Sequence, residues 1–148
     1  MILTCHIILA AAIAVKIPNA FLAVTLAFLS HYLLDFFPHI EYPIENIKNK
    51  QWSKSLPDFL NVFLDFFSGI LIILLFLGTQ PIIFIAAFFA ILPDIMNYFY
   101  LIYQNEFLKI NHDLHEKIHF LKNKKISELW RITSQALTII ISIILIYL

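Results

Sequence analysis

Four stretches of this chain, residues 19–37, 57–78, 81–103 and 128–148, are apolar almost without interruption. Each reaches or approaches the ~20 residues that a bilayer-crossing helix needs, and none shows the period-2 alternation of a barrel strand, so the pattern predicts helical spans. A fifth apolar segment, Ile2–Val15, is shorter: as a helix its 14 residues cover about 21 Å, against a hydrocarbon core of about 30 Å. It does not read as a cleaved signal peptide, because no Lys or Arg precedes it and His6 interrupts it. Met1–Cys5 matches a lipoprotein box only loosely, with Thr4 where a smaller Gly, Ala or Ser is expected.

The joints between these runs are equally legible. Lys16-Ile17-Pro18-Asn19 is short enough to fold the first two segments into a helical hairpin, with Pro18 suited to the start of the second helix. Gly78-Thr79-Gln80-Pro81 does the same between the third and fourth. Ser55-Leu56-Pro57-Asp58 reads as a helix N-cap followed by Asp58 as a helix-start carboxylate.

Composition supports the membrane reading: 61% of the residues are hydrophobic and 14% charged, and one cysteine and a net charge of zero argue against a disulfide scaffold and against nucleic-acid binding. Residues 38–58 carry six charges and residues 104–131 carry ten; the remainder are Lys16, Asp35, Asp65 and Asp94. Alternating crossings put the N-terminus and both charged loops on one side. That side holds Lys48, Lys50, Lys54, Lys109, Lys117, Lys122, Lys124, Lys125 and Arg131, so the positive-inside rule makes it cytoplasmic. No internal repeat or linker divides the chain, and residues 1–148 read as a single membrane-embedded domain. The expected class is all-α: a polytopic protein of about five transmembrane helices with a His-rich cytoplasmic helical connector.

Ionisable residues inside such spans are costly and mark functional sites by default. His6, His31, Asp35, Asp65 and Asp94 come from four different predicted helices and all fall in the cytoplasmic half. His31 and Asp35 are four apart on one helix face, suited to gripping one divalent cation, and Pro38 ends that helix so that His39 can turn back. If residues 111–119 are helical, His112, His115, Glu116 and His119 share a face and form a lid or second ligand set. Asp65 lies on a polar stripe with Asp58, Asn61 and Ser68, and Asp94 is followed by Asn97 and Tyr98 a turn later. Trp52, Trp130, Tyr98, Tyr100 and Tyr103 fit an interfacial aromatic belt. Without a G-x-S-x-G elbow, an H-E-x-x-H helix or a Gly-rich phosphate loop, chemistry here is expected to be metal chemistry.

Taken together, His6, the stretch Ser30–His39, the isolated Asp65, Leu92-Pro93-Asp94 and the late histidines resemble the predicted membrane-bound metal-dependent hydrolases of bacteria and archaea, a family that includes a LexA-regulated inner-membrane protein. Ser30–His39 is also similar to the H-x-x-x-D…P-x-H ligand segment of zinc-dependent phospholipase C and zinc nucleases. The resemblance implies a helical metal site acting on phosphoesters, with His6, His31, Asp35, Asp65 and Asp94 as ligands and zinc as the expected ion. His112 and His115 join them as candidate metal residues. Asn97 stands where L-P-D-x-x-D would place a second acid, and H-R-x-x-T-H is absent before the last helix. Asp94 is the candidate general base, and His39 or His119 the proton donor to the leaving oxygen. The expected partners are membrane lipid and a phosphoester or lipid-linked substrate, without nucleic acid; a homo-oligomer is compatible with the sequence. Two competing classes are a catalytically silent membrane protein and an ion or metal transporter subunit, which needs a polar path through both halves where the outer half offers little beyond Thr25, Thr79, Gln80 and the Ser134, Gln135, Thr138, Ser142 stripe.

Overall fold

The computed structural model describes residues 1–119, 121 and 125–148, in which seven α-helices and no strand occur. Lys122 and Lys124, counted above with the basic loop, lie outside the described residues. The helices are α1 (Leu3–Lys16), α2 (Ala20–Asp35), the short α3 (Glu45–Lys48), α4 (Leu56–Phe76), α5 (Pro81–Tyr103), α6 (Glu106–Ile118) and α7 (Glu128–Tyr147). α4, α5 and α7 are long and apolar enough to cross a membrane, while α1 and α2 are shorter apolar helices. The run expected over residues 19–37 yields 16 helical residues, about 24 Å, because the chain leaves the helix at Asp35 ahead of Pro38.

The shortest apolar segment occupies the centre. α1 packs against α2, α4, α5 and α7, and Cys5, His6, Ile7, Ala10 and Ala11 have no exposed surface. Small side chains permit this: Ala10, Ala11 and Ala14 of α1 share one core with Ala27 of α2 and with Ala86, Ala87 and Ala90 of α5. Between apolar helices in lipid, such close backbone approach supplies the dispersion contacts that hold a bundle together. Gly69 serves the same end on α4, where an added Cβ would stand 2.9 Å from Ile7 Cδ1. The outer surfaces of α4 and α7 remain apolar and open, with Leu71, Leu75, Ile140 and Ile144 exposed.

Local chemistry sets the joints, with two departures from expectation. Asn19 caps α2 by accepting from Leu22 N at 2.9 Å, so Pro18 precedes the cap and does not open the helix. Pro81 opens α5, after a turn in which Gly78 takes φ +76°, a conformation that favours glycine. Ser55 precedes α4 without capping it: its Oγ donates to Gln51 O at 3.0 Å. Asp58 lies in the first turn of α4, as expected, and its side chain also serves another helix. Its oxygens accept from Asn46 N at 3.0 Å, Ile47 N at 3.2 Å and Asn46 Nδ2 at 2.9 Å, at the start of α3. α5 ends at Gln104 in the left-handed region, φ 49°, and Asn105 caps α6 by accepting from Phe107 N at 2.8 Å, a tight reversal that folds α6 back along α5.

Overpacking the centre is expected to be more damaging than altering the periphery. Ala11→Leu should destabilise the bundle by about 1–3 kcal/mol, whereas Phe21→Leu, at a side chain 83% exposed, should leave the unfolding midpoint in detergent unchanged.

Candidate metal centre

Asp35 ends α2 at 2% exposure and is the hub of the site. Five imidazoles approach its carboxylate. His6 Nε2 of α1 lies 3.3 Å from Oδ1 and His39 Nε2 lies 3.9 Å from it, while His31 Nε2, His115 Nε2 and His119 Nε2 lie 3.1, 3.3 and 3.0 Å from Oδ2. Asp94 joins from α5, its Oδ1 3.0 Å from His115 Nε2 and 3.7 Å from His31 Nε2. The amino group of Met1 also contacts Asp35 Oδ1, at 2.5 Å. Two overlapping donor sets share Asp35: His31, Asp35, Asp94 and His115, and Asp35, His39 and His119, each with its donor atoms within 4.8 Å of one another.

Backbone contacts fix which nitrogen faces the carboxylates. His31 Nδ1 lies 2.8 Å from Ala90 O; a carbonyl only accepts, so Nδ1 carries the proton and a neutral ring turns its Nε2 lone pair toward Asp35 and Asp94. His39 repeats the device with Phe37 O at 2.7 Å. Neither Nε2 makes a hydrogen bond, nor does either ring nitrogen of His6, although all are buried. Lone pairs aimed at carboxylate oxygens repel unless a cation lies between them, and donating the second ring N–H to a carbonyl is the usual way a metal-binding histidine is oriented. The buried, orphaned nitrogens and the mixed imidazole and carboxylate donors are ones that could hold a metal ion.

Outside the spans, electrostatics divide the histidines. Burial disfavours charge on His115, but its hydrogen bonds to Asp35 and Asp94 outweigh that and hold its pKa up at about 9. His119 is raised as well: burial opposes charge, and Asp35 with Glu41, whose Oε1 is 3.3 Å from His119 Nδ1, overcomes it. His39, whose burial is not offset in this way, is lowered to about 3. The carboxylates thus draw positive charge into the α6 side of the cluster.

Each site residue is placed by a definite local cause. Pro93 within α5 deprives Phe89 O of its helical donor, and the next carbonyl, Ala90 O, receives His31. Asn111 Nδ2 donates to Pro93 O at 2.9 Å, which fastens α6 over this turn and brings His115 to Asp94. α7 holds the segment carrying His39. Arg131 Nη1 donates to His39 O at 2.9 Å, Gln135 Nε2 to Ile40 O at 3.0 Å, and Ser134 Oγ to Pro38 O. The polar stripe of α7 is therefore engaged with backbone carbonyls: Thr138 and Ser142 donate to Ser134 O at 2.9 Å and Thr138 O at 2.7 Å.

His6, His31, Asp35, His39, Asp94, His115 and His119 come together, whereas Asp65 and His112 do not join either donor set. Asp65 caps α1 from α4. It accepts from Thr4 N at 3.0 Å, from Thr4 Oγ1 at 2.6 Å and from the Tyr42 hydroxyl, which itself accepts from Leu3 N at 2.8 Å. Two first-turn N–H groups of α1 are satisfied this way, and Ile2 offers no cap of its own. Burial, with the bond to Asp65, pushes the Tyr42 phenol well up. His112 Nδ1 pairs with Asn97 Oδ1 at 2.6 Å and its ring stacks on Tyr100. Tyr42, Glu41 and the α7 donors carry no sequence signal beyond polarity near a loop, since their roles depend on backbone carbonyls and contacts from distant segments.

These placements separate two kinds of aspartate. Asp65→Ala is expected to cost about 1–3 kcal/mol of stability through the lost cap and to leave bound divalent metal unchanged, whereas Asp35→Asn should abolish metal binding; elemental analysis and thermal unfolding of the purified variants check both. Comparison of the chain with protein-family models, with curated proteins and with solved structures finds no match.

Proposed function

We propose that this protein is a membrane-bound metal-dependent hydrolase of a phosphoester carried by a membrane-borne substrate such as a phospholipid. The observation that carries the reading is that Nε2 of His31 and His39 and both ring nitrogens of His6 are buried without hydrogen bonds beside the carboxylates of Asp35 and Asp94. The ion, zinc in this reading, is held by His31, Asp35, Asp94 and His115, with His6 packed behind at a ring distance of 4.4 Å from His31. When bound, it supplies Lewis acidity toward the phosphoryl group and activates water.

The chain's own groups divide the remaining work. The Asp94 side chain is 24% exposed, where Asp35 is sealed, and it borders the large cavity beside the cluster, so it can take a proton from an attacking water. His119 borders the same cavity with both ring nitrogens beside carboxylates, Asp35 and Glu41, and is the proton donor to the leaving oxygen. His39 is not suited to that step, because its proton is committed to Phe37 O and its free nitrogen faces Asp35. In this reading α1 and α2 enter the bilayer beside the three longer helices, giving five crossings of an inner membrane, with the N-terminus and the site toward the cytoplasm. Lysines of the charged loops then draw an anionic headgroup toward the cluster.

Elemental analysis of purified wild type, His31→Ala and Asp94→Ala tests the site: metal in the wild type and its loss in both variants is expected, and equal content in all three sinks the proposal. With bis(p-nitrophenyl) phosphate as probe, His119→Gln should retain metal and lower kcat by about 10²–10⁴.

A further inference from the structure

α4 and α5 are joined by a short turn, yet they barely touch: α4 leans on α1, and α5 on α1, α2 and α6. The space between them is a cavity of about 470 Å³, in the range of small-molecule sites. Its walls are aromatic and aliphatic, including Val62, Phe63 and Phe66 from α4 and Ile91, Ile95 and Phe99 from α5. Asp94, His115 and His119 of the cluster line the same cavity, as does Lys48 of α3. Both flanking helices are long and apolar enough to cross a membrane. An edge contact of Phe59 with Tyr98, ring centroids 6.0 Å apart, spans the gap. Tyr98, one helical turn beyond Asp94, lines the same cavity, and its hydroxyl is buried without a hydrogen-bond partner.

We infer that this cavity is a lateral binding site for one hydrocarbon chain of a phospholipid, entered from the bilayer between α4 and α5, with the phosphate end at Asp94, His115 and the Tyr98 hydroxyl. The site's polarity matches an amphiphile: Glu41, Lys48, Asp94, Asn97, Glu116 and the imidazoles supply a polar side, and the aromatic and aliphatic side chains of α4 and α5 an apolar wall. A water-soluble phosphoester would leave that wall unfilled, and an apolar molecule without a headgroup would leave the Tyr98 hydroxyl and the cluster unmatched. The inference rests on the hydrolase reading for what happens to the bound phosphate, but chain occupancy is measurable without turnover.

The probe is phosphatidylglycerol with a diazirine at the end of one acyl chain, in phosphatidylcholine nanodiscs containing the full protein, with cross-links mapped by mass spectrometry. Labelling of Phe63, Phe66, Ile91 and Ile95 is expected to exceed labelling of Ile140 and Ile144 on the outer face of α7 by about tenfold. Val62→Trp and Ile95→Trp, which fill the cavity, should reduce it to the α7 level, and Ile144→Trp should not. Equal labelling of the two faces in the wild type overturns the inference, and that comparison holds even where a variant fails to fold. Metal content of the same sample reports separately on the hydrolase reading: cavity labelling without metal leaves the lipid site standing and refutes the chemistry, while metal without cavity labelling does the reverse.

Discussion

A carboxylate removed from water must be met by cations or donors, or the fold carries a penalty of several kcal/mol. Asp35 is such a group: the Met1 amino group, His115 on α6 and His119 after it approach it as donors, and ring nitrogens of His6 on α1, His31 one turn back on its own helix and His39 past the helix end crowd around it. The constraint works in both directions. Satisfying Asp35 draws α1, α6 and the 38–40 segment toward the end of α2, and those segments in turn exclude the water that would otherwise solvate it. The orphaned lone pairs of His6, His31 and His39 show that this arrangement is not a closed hydrogen-bond network. Its donor atoms are grouped closely enough to hold a metal ion.

A second aspartate makes that centre possible without entering it. Asp65 satisfies the first-turn N–H of Thr4 and, through Tyr42, that of Leu3, so it fixes the start of α1, the helix that presents His6. Asp58 does the same for α3 near the rim of the lateral cavity. Buried carboxylates in this bundle thus follow one rule, pairing with helix N-termini or with imidazoles. The alanine-rich interface around α1 supplies the close approach that both arrangements need, since side chains of larger volume on α1, α2 and α5 would hold His6 away from His31. Where small residues run out, on the sides of α4 and α5 that bear Phe59, Phe63, Phe66 and Phe99, the helices part and the lateral cavity opens.

Much of this was legible in the residues. Uninterrupted apolar runs dictate helices in a low-dielectric medium, because only internal hydrogen bonds satisfy the backbone there, and the helices at 56–76, 81–103 and 128–147 follow from that alone. The spacing of His31 and Asp35 fixes a shared face by helix geometry, Gly78 and Pro81 act through their own backbone preferences, and Asn19 acts through a local side-chain cap. The expectation that ionisable groups in apolar sequence meet one another holds for His6, His31, Asp35 and Asp94.

Other outcomes depend on contacts between segments far apart in the chain. Asp65 and Asp94 look alike in sequence, each a lone carboxylate in an apolar helix; which one caps α1 and which meets His115 is settled by how α4 and α5 pack against α1 and α6. His112, His115 and His119 share one helical pattern, but Asn97 takes the first while Asp94 and Asp35 take the others. The sequence by itself determined helices, short turns and the presence of buried ionisable groups, because those follow from local hydropathy and backbone geometry. Only the tertiary structure decided that the shortest helix stands at the centre, that α7 side chains hold His39 in place and that a cavity joins the cluster to the gap between α4 and α5. Each of these is a matter of distance between groups whose separation along the chain carries no information about their separation in space.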